Sequence, residues 1–184
     1  MLARGIFIGI VLTLALSALA VYVAVIDGWL PAGADGKPGK LETWAAKTSL
    51  HVTLRREAPR TANPVASTDA NLESGVKLYA ANCIVCHGAA DKRPSNIALG
   101  LYQNAPQLAS DGVEDDPQGV TFWKVKHGIR FTGMPGYSQT LTDAQIWTLA
   151  LFLNRMDKLP PAPQREWEAA RNPVATQSPK PDSE

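Results

Sequence analysis

Cys83-Ile84-Val85-Cys86-His87 reads C-x-x-C-H, and no other stretch of the chain restricts its folding as much. Two thiols spaced by two residues can form thioethers to the vinyl groups of a haem, and the adjacent imidazole then falls under the iron as a proximal ligand. Two other uses of a Cys pair compete with this. A redox C-x-x-C belongs near a βαβ pattern, and a zinc site needs a second ligand pair at suitable spacing. Neither context is present. Covalent haem, one group per chain, is therefore the expected cofactor, and the protein around it must fold as a shell for a flat apolar ligand. Both cysteines of the 184-residue chain are consumed by the motif, so no disulfide framework is available. A small core must then be held largely by the cofactor.

Residues 6–26 form an uninterrupted run of apolar and small residues between Arg4 and Asp27. As a helix the run spans about 31 Å, enough for a bilayer core of roughly 30 Å. Ala18-Leu19-Ala20 also fits a signal-peptidase site, but six further apolar residues follow where a signal peptide usually turns polar. The run is read as an uncleaved transmembrane anchor over 1–27. Arg4 favours a cytoplasmic N-terminus. Covalent haem is added on the outer face of the bacterial cytoplasmic membrane, which places the body of the chain in the periplasm. The net charge of +1 excludes a global field toward nucleic acid, and docking must use local patches.

Residues 28–67 read as a stalk and extension. The Pro- and Gly-rich part up to Lys40 gives reach. Residues 41–56 are ambiguous: Leu41, Trp44, Ala45 and Val52 recur at helical spacing, whereas 51–54 alternate like a strand. This segment either wraps the following domain or docks a partner through Trp44. His51 is read as a surface or packing residue. A folded domain is expected over 68–158. Asp69 is the candidate N-cap of a helix with Leu72, Val76, Tyr79 and Ala80 on one face. Gly75 costs that helix about 1 kcal/mol relative to Ala, so another helix is expected to approach closely at Gly75 and Tyr79.

After His87 the pattern loosens, with a helical turn expected near 97–102. A proximal histidine normally donates its second ring N–H to a carbonyl or carboxylate. Pro106, in Ala105-Pro106-Gln107-Leu108, is the candidate carbonyl, and Pro94 is the weaker choice. Asp116-Pro117 reads as N-cap and N1 of a helix over 118–127, with Val120, Trp123 and His127 toward the core and Lys124 and Lys126 exposed. Met134 sits in a Gly-Met-Pro-Gly turn, where a soft thioether can face iron. It is the expected sixth ligand, ahead of His127 and Met156. Thr142-Asp143-Ala144-Gln145 is a capping box opening a helix through Met156, with Ile146, Leu149, Ala150 and Leu153 as its apolar stripe. Pro160, Pro161 and Pro163 are expected to end regular structure, leaving 159–184 as a Pro-rich, mostly disordered tail in which Trp167 is a candidate docking element.

With these features in place, residues 68–158 resemble a class I c-type cytochrome. The resemblance implies an all-α, small cytochrome c-like haem domain with crossed N- and C-terminal helices, here preceded by one transmembrane helix. It implies haem attachment at Cys83 and Cys86 and iron ligation by His87 and Met134. Ala105-Pro106-Gln107-Leu108 differs by one residue from the family's Gly-Pro-x-Leu. Residues 127–137 look like cytochrome subunits that accept electrons from membrane-associated dehydrogenases. Tyr102, Trp123 and Arg130 are candidates for the haem propionates. The implied function is single-electron transfer in a periplasmic respiratory chain, not catalysis, with a dehydrogenase donor, an oxidase or reductase acceptor, and a hetero-oligomeric assembly. The alternatives are a shuttle or subunit serving a terminal oxidase or reductase, a haem enzyme or gas sensor with an open sixth site, and a structural anchoring subunit.

Overall fold

The computed structural model describes residues 2–171 and 173. Among them every regular element is helical. The elements are α1 Leu2–Ile26, α2 Lys40–Glu57, α3 Asp69–Asn82, α4 Ile84–His87, α5 Asn96–Gly100, a 3-10 turn Val113–Asp115, α6 Gln118–His127, α7 Asp143–Arg155 and α8 Pro161–Ala169. The chain divides into two compact units, residues 1–33 and 34–184.

The first unit is α1. Its 25 residues extend about 37 Å, and none of its described side chains is buried. Thr13 returns its hydroxyl to the Gly9 carbonyl at 2.9 Å, so even this polar group is satisfied within the helix. By length and composition α1 can cross a membrane.

The second unit is built on the crossing of α3 and α7. Thr68, rather than Asp69, caps α3 by accepting from Asn71 N; Asp69 occupies the first turn, where its charge suits the helix dipole. Gly75 and Tyr79 form the crossing surface expected from the cost of Gly75. A Cβ on Gly75 would stand 2.5 Å from Phe152 Cβ and 3.0 Å from the Thr148 carbonyl oxygen. The capping box at Thr142 and Gln145 is formed, and Ile146, Leu149, Ala150 and Leu153 are buried along α7. Gly75→Val is therefore expected to destabilise the unit by about 2–3 kcal/mol or more, because Thr148 offers backbone and cannot rotate away. A denaturant melt of the full-length haem-loaded protein checks this, and an unchanged midpoint would contradict the close crossing.

The C-terminal segment and α6 depart from expectation. The prolines after Leu159 open a helix instead of ending structure: Pro160 is the N-cap and Pro161 the first helical residue of α8, a position where a missing N–H costs nothing. Trp167 is not an exposed docking element. It is 4% exposed and meets Tyr79 and Phe152 edge-on, each with ring centroids 5.4 Å apart. The rest of the expected disordered tail, 172 and 174–184, lies outside the described residues. The inward face of α6 is Gly119, Thr121, Phe122 and Val125, with Phe122 stacked on Trp147 at 4.3 Å. Val120 and Trp123 are half-buried and His127 is exposed. Lys124 and Lys126 are not free in solvent but pair with Asp116 at 2.6 Å and Asp143 at 2.8 Å. Asp116 thus serves Lys124 instead of capping the helix: α6 spans the expected 118–127, with Pro117 at the N-cap position.

Residues 41–56 are a helix, and it lies on the domain through Leu54, which is buried. The linker behind it is also tied down. Asn63 donates to the Trp147 carbonyl (2.9 Å) and to Gln118 Oε1 (2.6 Å). Gln118 donates on to Asn154, and Asn154 to the Glu114 carbonyl, each at 2.9 Å. The Cβ that Gly119 lacks would collide with the Pro59 backbone, so the same glycine that weakens α6 admits this linker.

Candidate functional site

The last turn of α3 passes directly into α4. Cys86 N and His87 N both donate to the Cys83 carbonyl, at 3.1 and 2.9 Å. The resulting i, i+3, i+4 spacing brings Cys83, Cys86 and His87 to one side of a single turn. Gly88 closes the turn at φ +75°, and Tyr79, fully buried in the α3–α7 crossing, donates its hydroxyl to the Gly88 carbonyl at 2.9 Å. The motif is thereby bolted to the core one residue after His87.

These residues line a cavity of about 580 Å³, within the range of small-molecule sites. Its wall is chiefly apolar, with contributions from Val85, Leu101, Leu108, Val125 and Ile129. Met134 lines the same cavity from a separate stretch, the loop after α6. That loop is fixed by Ile129 N donating to the Met134 carbonyl (3.1 Å), by Met134 N donating to Thr132 Oγ1 (3.1 Å), and by Gly128 at φ +67°, where a side chain would strike the backbone of 134–136. Tyr137, the next ordered aromatic, donates to the Asn82 carbonyl at 2.7 Å and links the loop to the end of α3. Burial pushes its hydroxyl up to about 12, so it remains a donor throughout the physiological range.

His87 Nδ1 lies 2.8 Å from the Pro106 carbonyl oxygen. A carbonyl only accepts, so the proton sits on Nδ1 and Nε2 keeps its lone pair. Desolvation lowers the imidazole pKa, against a smaller raising effect of the Pro106 bond, and the ring is neutral at pH 7. That is the protonation state a metal-binding histidine requires. Leu108 N returns a hydrogen bond to the His87 carbonyl at 3.3 Å, and Gln107 Nε2 donates to the Cys86 carbonyl at 3.2 Å. Residues 106–108 therefore brace the motif through three separate contacts. Burial pushes the Cys83 thiol up to about 12. A redox C-x-x-C works through a depressed thiol pKa, so the environment of Cys83 opposes that use.

Tyr102, Trp123 and Arg130 do not line the cavity. Tyr102 donates to Glu42 Oε2 at 2.7 Å. Trp123 lies over the His127 ring at 4.9 Å, and Arg130 is exposed. The candidates for alternative iron ligation are also elsewhere: His127 is exposed and Met156 is buried in the α7 core. Further polar residues that do line the cavity are Asn82, Gln103, Asn104, Asp111, Asp116, Thr121, Lys124 and Thr132. Nothing in their spacing marks them as cavity residues, and Asp116 and Lys124 read from the sequence only as a helix cap and an exposed cation. Leu50, which α2 contributes to the wall, is likewise unmarked.

The residues present fit a haem: a largely apolar cavity of suitable size, a thiol pair and a neutral imidazole on one turn, and a thioether on a separate loop. Residues 70–153 match the family model described as cytochrome c oxidase, cbb3-type, subunit III. No curated protein and no solved structure matches the chain.

Proposed function

The chain carries a class I c-type cytochrome domain over residues 70–153 and so serves electron transfer, and from that premise we propose a membrane-anchored carrier with one covalent haem held by Cys83, Cys86, His87 and Met134. The observation that carries this reading is the single cavity of about 580 Å³ to which all four residues contribute. A haem bound there supplies one-electron iron chemistry, with its potential set by ligand identity, burial and hydrogen bonding. The chain's own contribution is positional. Pro106 holds the His87 ring in one tautomer and one orientation. Thr132, Gly128 and Tyr137 fix the Met134 loop, so its thioether is preorganised instead of being recruited. The apolar wall excludes water, and the rigid α3–α7 crossing keeps both ligand-bearing stretches in place as the charge changes.

The domain lies in the periplasm of a bacterial cell, tethered by α1 in the cytoplasmic membrane. It takes electrons from a membrane-associated dehydrogenase, as its electron-transfer subunit or acceptor, and passes them to an oxidase or reductase. A second reading, a subunit serving a terminal oxidase, is favoured by the description of the matched family as an oxidase subunit.

Met134 separates electron transfer from an enzyme or gas sensor with an open sixth site. The oxidised full-length protein is expected to be low-spin, with the weak methionine-to-iron charge-transfer band. Met134→Ala is expected to abolish that band, give a high-spin spectrum and lower the midpoint potential. A wild-type protein already high-spin, or a variant that keeps the band, would overturn ligation by Met134.

A further inference from the structure

Helix α2 is apolar on two opposite sides. One side holds Leu50, at the cavity wall, and Leu54, buried on the domain. By helical periodicity Leu41, Trp44 and Val52 lie on the other side, at 76%, 64% and 38% exposure. On that outward face Arg55 falls between Trp44 and Leu41 and Arg56 beside Val52, with His51 and Lys40 at its edge next to Trp44, and all four are exposed. Both acids of the helix are turned away from it: Glu42 is held by Tyr102 at 2.7 Å, and Glu57 falls beside the Leu50 stripe. Among the described residues neither Lys40 nor Arg55 has an acidic partner. An outward face that joins a tryptophan and aliphatic side chains to unpaired cations, with no anion, is complementary to the interfacial zone of an anionic bilayer.

Chain continuity identifies which surface that is. Residues 27–39 connect α1 to α2 and reach at most about 45 Å when extended, so an anchored α1 keeps α2 near the headgroups at high effective concentration. Helix α2 also precedes the matched region 70–153, so the cytochrome domain does not require its outward face. We propose that the outward face of α2 lies on the surface of an anionic bilayer, the one that α1 enters, and holds the cytochrome domain in a fixed orientation to it. The proposal rests on α1 being a membrane anchor.

The test uses the full-length haem-loaded protein in vesicles of phosphatidylcholine, with and without phosphatidylglycerol. A nitroxide at Thr48→Cys, exposed on the outward face, is compared with one at Lys92→Cys, exposed in the loop after α4. Collision with oxygen reports lipid contact, and collision with a water-soluble nickel chelate reports solvent. The expected result is that phosphatidylglycerol raises oxygen contact and suppresses nickel contact at position 48 but not at 92, and that Trp44→Asp with Arg55→Glu abolishes the change. A label at 48 that stays nickel-accessible while the protein resists alkaline extraction would overturn the docking and leave the anchor standing. Alkaline extraction of a chain whose position-48 label still enters the interface at neutral pH would overturn the anchor and support the docking. A label shielded only in native membranes, not in protein-free vesicles, would mark an acidic protein partner and overturn the assignment to lipid.

Discussion

Cys83→Ser combined with Cys86→Ser is expected to yield a chain without covalently retained haem and without a stable cytochrome domain. The two effects have one cause. The cavity of about 580 Å³ lies at the junction of the α3–α4 turn, the 106–108 brace and the Met134 loop. Left dry and closed, a void of that size would cost on the order of 14 kcal/mol at the rate seen for core cavities, which equals the whole stability of a typical domain. The cavity is open enough for water or collapse to relieve part of this. With the proposed ligands, replacing both sulfurs also leaves any haem held only by reversible ligation at His87 and Met134. The expected outcome is loss of haem staining on a denaturing gel, a broadened or absent thermal transition by circular dichroism, and rapid proteolysis. Single variants should retain haem through one thioether and fall between. A double variant that melted like the wild type would show that the cavity is not the centre of the fold.

The parts of this architecture that were legible in the sequence are those where a residue type has few uses. C-x-x-C-H has one consistent chemistry in an all-helical context. Gly75 inside an apolar stripe is costly enough to imply a close neighbour, and Phe152 is that neighbour. Thr142 and Gln145 mark a helix start whichever residues fill the turns beyond them. Direction was harder to read. Helix α6 carries two overlapping stripes, Val120–Trp123–His127 and Thr121–Phe122–Val125, and only the position of α7 decides which turns inward. Tyr102, Trp123 and Arg130 are the right chemical types for propionates, yet Tyr102 reaches Glu42 across sixty positions of sequence, a pairing that no local pattern encodes. Helix α2 escaped a clear reading because apolar residues on opposite sides cancel its helical period. The prolines before α8 were misread because the same residue that breaks a helix interior is well suited to its first position.

Trp167→Ala is expected to cost about 3–5 kcal/mol and to lower the melting temperature by about 10 °C or more. Trp167 is 4% exposed and closes a three-ring cluster with Tyr79 and Phe152, whose own centroids are 5.6 Å apart. Such edge-to-face contacts add about 0.5–1.5 kcal/mol each beyond the area they bury. The consequence reaches the haem motif, because Tyr79 is the residue whose hydroxyl holds the Gly88 carbonyl. If α8 clamps Tyr79, then Tyr79→Phe and Trp167→Ala must be coupled, and a double-mutant cycle on the full-length protein should return an interaction energy of about 1 kcal/mol or more. Trp167→Phe keeps an aromatic ring in the cluster and should recover much of the loss. Additive single variants, or a Trp167→Ala protein that melts within about 1 °C of wild type, would mean that α8 only covers the core. A coupled result would mean that a segment beyond the family-matched region sets the rigidity of the turn that carries Cys83, Cys86 and His87.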